Sequence, residues 1–281
     1  MTTSSTRELS AGLALRPHFI PSTVPAALTA LGLCVALYSL VVTPDLDAPL
    51  IARLFTVMWL AISLAFTLIV APRNFIIGYL GGLFALLAGW RIPGLLGVNL
   101  VAWSVLPAFV AFVAQFVDVV VTDLRRKPAS LLSAPEWQLT VLRIYVGFDL
   151  VPHFTEKLFA GPAPFNEDVA AFASFGLPMP AAFVFIGGLC EFGIAVGLGA
   201  GFLTRFAVVG GTIYFLIATV IGGHFFNGFI WASPNGGWEY PVLMMVLMMS
   251  YAFIGAGRFS VDRALRDDGR WPAKLRVLAS G

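Results

Sequence analysis

Five ionisable side chains, Arg143, Asp149, His153, Glu156 and Lys157, sit inside one apolar stretch, residues 137–159. A charge at the centre of a bilayer costs at least ~2.5 kcal/mol, so a span carrying this many must face protein or a water-filled cavity. At about 100° per residue, Asp149, His153 and Glu156 share one stripe with Tyr145, and Arg143 lies about 120° away. Imidazole and carboxylate groups together can take up and release protons near neutral pH. The ammonium of Lys157 beside them could receive a small anion.

Glu191 is a second buried charge. With a rise of about 1.5 Å per residue, Glu191 falls about 13 Å from the inner face, level with the gap between Arg143 and Asp149. An ion pair between Arg143 and Glu191 is therefore expected, since each alone would be an uncompensated charge in low dielectric. Glu191 is then either a fastener of the bundle or a proton-handling carboxylate. His224, in Gly222-Gly223-His224-Phe225-Phe226-Asn227-Gly228, and Trp238, Glu239 and Tyr240, in Gly236-Gly237-Trp238-Glu239-Tyr240-Pro241, belong to the same depth as His153, Glu156 and Lys157. Trp and Tyr alone mean little at this level, where aromatic belts lie, and a lone His224 could simply be hydrated. Titratable groups converging from three helices point to a polar pocket roofed by aromatics.

The elements that hold these residues are apolar spans. Of 281 residues, 59% are hydrophobic and 11% charged, against about 25% charged in soluble domains. The expected fold is an all-α polytopic membrane bundle of about eight helices, at 24–42, 50–70, 75–90, 95–121, 137–159, 181–202, 205–223 and 239–255. Most are near the ~20 residues that cross the hydrocarbon core. Residues 1–23 read as a cytoplasmic tail rather than a cleaved signal peptide. The first four spans (24–121) form an N-terminal half, and 122–136 is a basic linker. A four-helix bundle (137–257) and a basic tail (258–281) follow, with 160–180 expected as a loop. Arg7, Arg16, Arg73, Arg125, Arg126, Lys127, Arg205 and the tail residues Arg258, Arg263, Arg266, Arg270, Lys274 and Arg276 fall on one face. Arg53, Arg91 and Lys157 fall on the other, so the crowded face and both termini are expected in the cytoplasm of a bacterial-type inner membrane.

Some chemistries lack their residues. Cys34 and Cys190 lie in separate apolar runs and read as small buried side chains rather than a dithiol relay. Two outer-edge histidines are poorly placed for haem, and no Cys/His cluster suggests a metal. The basic tail reads as a membrane flank, with no support for nucleic-acid binding. The stripe Met244, Met245, Met248 and Met249 reads as packing.

The order Arg143-x3-Gly147, His153-x3-Lys157, Glu191, Gly197-Leu198-Gly199, Leu203-Thr204-Arg205, Gly236 to Pro241 and Gly255-Ala256-Gly257-Arg258-Phe259-Ser260-Val261-Asp262 resembles the DoxX/DoxD family of four-helix membrane proteins, across about residues 137–265. Some DoxD members form the membrane part of thiosulfate:quinone oxidoreductase. The resemblance implies a quinone-linked function; no metal or haem is expected, since their ligand sets are missing. Without a redox cofactor motif, the chain is expected to need a second redox subunit or to pass electrons directly from substrate to quinone. Lys157 would then attract an anionic donor. His153 and His224, with Glu156, Trp238, Glu239 and Tyr240, would hold the quinone, and Glu191 and Asp149 would carry protons. The N-terminal half departs from the family pattern, having few buried polar groups (Asn99, Gln115 and Asp118) and no repeat of the Arg-Glu-His set. The alternatives are a non-enzymatic anchor for a redox partner and a small-molecule transporter.

Overall fold

The chain is all-α. The computed structural model describes residues 15–45, 47–126, 129–267 and 269. Arg7, Lys127, Arg270, Lys274 and Arg276 lie outside the described residues. The N-terminal half contains α1 (Thr23–Val42), α2 (Leu50–Ala65, continued by a π-turn at Phe66–Val70), α3 (Phe75–Leu96) and α4 (Asn99–Arg125). The second half contains α5 (Ala134–Phe148), α6 (Val151–Leu158), α7 (Pro162–Ser174), α8 (Pro180–Ile194, continued by a π-turn at Ala195–Ala200), α9 (Thr204–Ile221), α10 (Glu239–Ile254) and α11 (Val261–Asp267). Six helices, Thr23–Val42, Leu50–Val70, Phe75–Leu96, Asn99–Arg125, Pro180–Ala200 and Thr204–Ile221, are long and apolar enough to cross a membrane. The other two expected spans are the divided pair α5/α6 and the shorter α10.

The fifth span is broken, where one continuous helix was expected. Helix α5 stops at Phe148 and α6 begins at Val151. Pro152 supplies the physical reason: it has no N–H to continue the ladder, and its ring is tolerated only in a first turn. The expected loop at 160–180 likewise contains α7, opened by Pro162 after Gly161 at φ +97°. Both prolines mark helix starts.

Helix α3 is the hub between the halves. Its apolar window is 78% buried, against 28–44% for the other five long helices. A helix apolar on every side belongs inside a bundle rather than at its edge, and α3 packs on α2, α4 and α6. Asn74 caps its start by accepting from Ile77 N–H at 3.2 Å. Close approach elsewhere depends on Gly147, where a Cβ would sit 2.0 Å from the Gly199 backbone nitrogen. Cys34, expected buried, is instead exposed, and Cys190 is half-buried. On the outside of a membrane bundle the surroundings are themselves apolar, so a thiol has no reason to turn inward.

One end of the bundle collects Arg16, Arg73, Arg125, Arg205 and Arg258 and is fastened by three aspartates. Asp118 accepts from the backbone N–H groups of His18, Phe19 and Ile20 at 2.9, 2.7 and 2.9 Å. Gln115 donates to Ile20 O at 3.0 Å beside it. Asp123 accepts from Leu131 N–H (2.7 Å), Leu132 N–H (2.9 Å) and Trp137 Nε1–H (3.0 Å). Asp262 accepts from Leu203 N–H (2.8 Å) and Thr204 N–H (3.1 Å). That grip holds Leu203 at φ +50°, a conformation uncommon for a residue with a side chain. Helix α5 starts here in a capping box, Ser133 N–H donating to Glu136 Oε2 at 2.7 Å.

Candidate functional site

At the opposite end, Lys157 is buried among carboxylates. Its Nζ lies 2.9 Å from Glu156 Oε1, 3.4 Å from Glu191 Oε2 and 3.8 Å from Asp168 Oδ2. It also donates to His153 O at 3.2 Å. Three helices supply these groups: α6 carries His153, Glu156 and Lys157, α8 carries Glu191, and α7 carries Asp168. Gly188 lets α8 come close, since a Cβ there would meet Leu158 and the Lys157 side chain at 2.9 Å. His153 Nδ1 stands 3.7 Å from Glu156 Oε1. One ammonium shared by three carboxylates leaves an excess of negative charge when all are ionised.

Glu191 connects this cluster to a cavity. Its Oε1 accepts from Tyr214 OH at 2.6 Å. Its Oε2 is buried, has no hydrogen-bond partner and faces Lys157 only through the ion pair. The cavity, of about 210 Å³, is lined by His153, Glu191, Tyr214, His224, Trp231 and Tyr240, among others. His224 Nδ1 lies 3.0 Å from Asn235 O and 3.2 Å from Gly236 O. Two carbonyls at one ring nitrogen require the proton there, which leaves Nε2 of the neutral ring as an acceptor. The lining thus combines a buried carboxylate, two imidazoles and two phenols, a set able to bind a polar ring and exchange protons with it.

The expected pair of Arg143 with Glu191 does not form. Arg143, fully buried, donates to the carbonyls of Leu198, Gly199 (3.0 Å) and Phe259 (2.7 Å). The π-turn that ends α8 leaves carbonyls unsatisfied, and the planar guanidinium fork reaches several at once. Glu191 turns the other way, to Lys157. Lys157, expected to receive a small anion, has three carboxylates of the chain itself beside its ammonium.

The remaining expected residues separate. Asp149 was placed on one stripe with His153, but the break at Asp149–Leu150 turns it towards a second cavity between the halves. Tyr240 donates a hydrogen bond to Asp149 across the break. Glu239 is a loop fastener, its Oε2 accepting from Trp231 N–H at 3.0 Å. Trp238 packs edge-on against Phe229 at 4.7 Å. Neither Trp238 nor Glu239 lines the cavity.

Three residues of the site escaped the sequence reading. Tyr214 is a phenol in mid-span, and its isolation in the run Gly210 to Ile221 was the available signal. Asp168 reached Lys157 only because 162–174 is helical. Partial burial pushes the Asp168 carboxyl up from its ordinary range, against the pull of Lys157. Trp231 stacks towards His224 and Tyr240, its ring centroid 5.3 Å from each.

Residues 138–224 match the family model described as DoxX. The match covers α5 to α9, including Arg143, Asp149, His153, Glu156, Lys157, Glu191 and His224. No curated protein and no solved structure matches the chain.

Proposed function

With residues 138–224 in the DoxX family, we propose that this integral membrane protein is the quinone-reactive subunit of a redox complex. The observation that carries the reading is the cavity shared by His153, Glu191, Tyr214, His224 and Tyr240. Reduction of a quinone adds two electrons and two protons, so its site needs hydrogen-bond partners for both ring oxygens and a route for protons. The free Nε2 of His224 accepts from a quinol hydroxyl, and His153 serves the opposite edge of the cavity. Glu191 takes or supplies the proton through Tyr214, with Lys157 stabilising its ionised form.

The electrons come from a sulfur compound of the thiosulfate class. Two thiosulfates join through a new S–S bond to tetrathionate, and the two electrons released pass with two protons to the quinone. Excess negative charge around Lys157 opposes docking of such an anion at the cavity, so a second redox subunit delivers the electrons. The basic end faces the cytoplasm of a bacterial-type inner membrane and the cavity faces outward.

The test is quinone reduction by the complex isolated in mild detergent, with thiosulfate, sulfite or a thiol as donor. Turnover that falls in Glu191→Gln and His224→Ala supports the reading. No turnover with any donor, partners present, leaves the protein a membrane anchor, and solute uptake into proteoliposomes without redox change would make it a transporter.

A further inference from the structure

A second cavity, about 380 Å³, lies between the two halves, where α3, α4 and α5 meet. Leu83, Leu87, Trp90, Phe109, Val113 and Tyr145 give it a mixed aliphatic and aromatic lining. Val113 and Tyr145 are exposed, so the cleft opens sideways into the bilayer. Along α3 it extends from Tyr79 to Arg91, about 18 Å by helical rise. That is close to one leaflet of a core ~30 Å thick.

Arg91 closes the end of the cleft nearer the His224 side. Its guanidinium stacks over Trp90 at 4.6 Å from the ring centroid. Among the described residues it has no carboxylate partner and no hydrogen bond, and it is exposed. The other charged group of the lining, Asp149, is engaged by Tyr240. A free guanidinium at the interfacial end of a one-leaflet apolar cleft matches an amphiphile with an anionic head and an extended chain. Guanidinium binds phosphate oxygens through paired N–H donors, whereas a quinone head carries no charge to meet it.

We propose that this cleft is a phospholipid site, one acyl chain lying between the halves and the phosphodiester resting on Arg91. It is independent of the quinone cavity on the other side of Tyr240.

The full chain, purified in mild detergent and incubated with phospholipid vesicles, is delipidated stepwise and followed by native mass spectrometry. The wild type is expected to keep one phospholipid after the surrounding lipid has gone. Arg91→Gln should weaken retention about fivefold, the effect of one basic side chain on a charged lipid surface, and Val113→Trp should abolish it by filling the cleft. Both positions are exposed, and an unchanged Tm shows that each variant is folded. Equal retention in wild type and both variants, or recovery of a quinone that Val113→Trp displaces, overturns the proposal.

Discussion

Tyr240 donates its phenolic hydrogen to Asp149, and this bond stands between the cavity that Tyr240 lines and the cleft between the halves that Asp149 lines. Asp149 sits in the gap between α5 and α6, so the phenol on α10 braces the broken span.

Tyr240→Phe leaves Asp149 without that donor. Hydrogen bonds to charged groups contribute about 1.5–3 kcal/mol. The expected outcome is a lower Tm in detergent, read by thermal unfolding, with Asp149→Asn milder because its amide can still accept from Tyr240.

Lys157 and Glu191 should be strongly coupled, since both side chains are only 8% exposed. Lys157→Met strands the carboxylates and should cost about 3–5 kcal/mol. The double change with Glu191→Gln should cost less than the two singles added together, and a double-mutant cycle checks the sign.

Arg143→Lys should fail to replace the native residue. A single ammonium lacks the planar fork that spans the carbonyls of Leu198, Gly199 and Phe259. The yield of monodisperse protein after detergent extraction should fall severalfold, and Arg143→Met, which leaves three carbonyls unanswered, should do worse.

Docking of α7 should weaken with rising pH. Asp168 has a raised folded-state pKa, because burial costs more than a Lys157 already shared with Glu156 and Glu191 returns. Its stabilising contribution is complete below the ordinary carboxylate range and is lost as pH rises through the raised value. Hydrogen exchange in 162–174 should quicken over that window, and Asp168→Asn should flatten the profile.

Composition and apolar length made the membrane bundle legible, and His153, His224 and Tyr240, read at one depth, line one cavity, whereas Glu191, read as lying deeper beside Arg143, lines it too. Partnerships were less legible. Depth arithmetic put Glu191 level with the gap between Arg143 and Asp149 but could not say which way any of them pointed, and unsatisfied carbonyls of a π-turn leave no mark in residue type. The stripe that joined Asp149 to His153 assumed an unbroken helix, which Pro152 denies. Asp168 was invisible as a partner of Lys157 because prolines were read as loop markers rather than helix starts.

The grip on Arg143 also orders events during synthesis. Its acceptors at Leu198 and Gly199 are 55 and 56 residues further along the chain, and that at Phe259 is 116 residues further. When α5 leaves the ribosome none of them exists, so the nascent segment cannot rest quietly in acyl chains. Its set of acceptors is complete only once α8 and then the segment beyond α10 have been made. A chain halted before Phe259 would hold the guanidinium by the Leu198 and Gly199 carbonyls alone, one acceptor short.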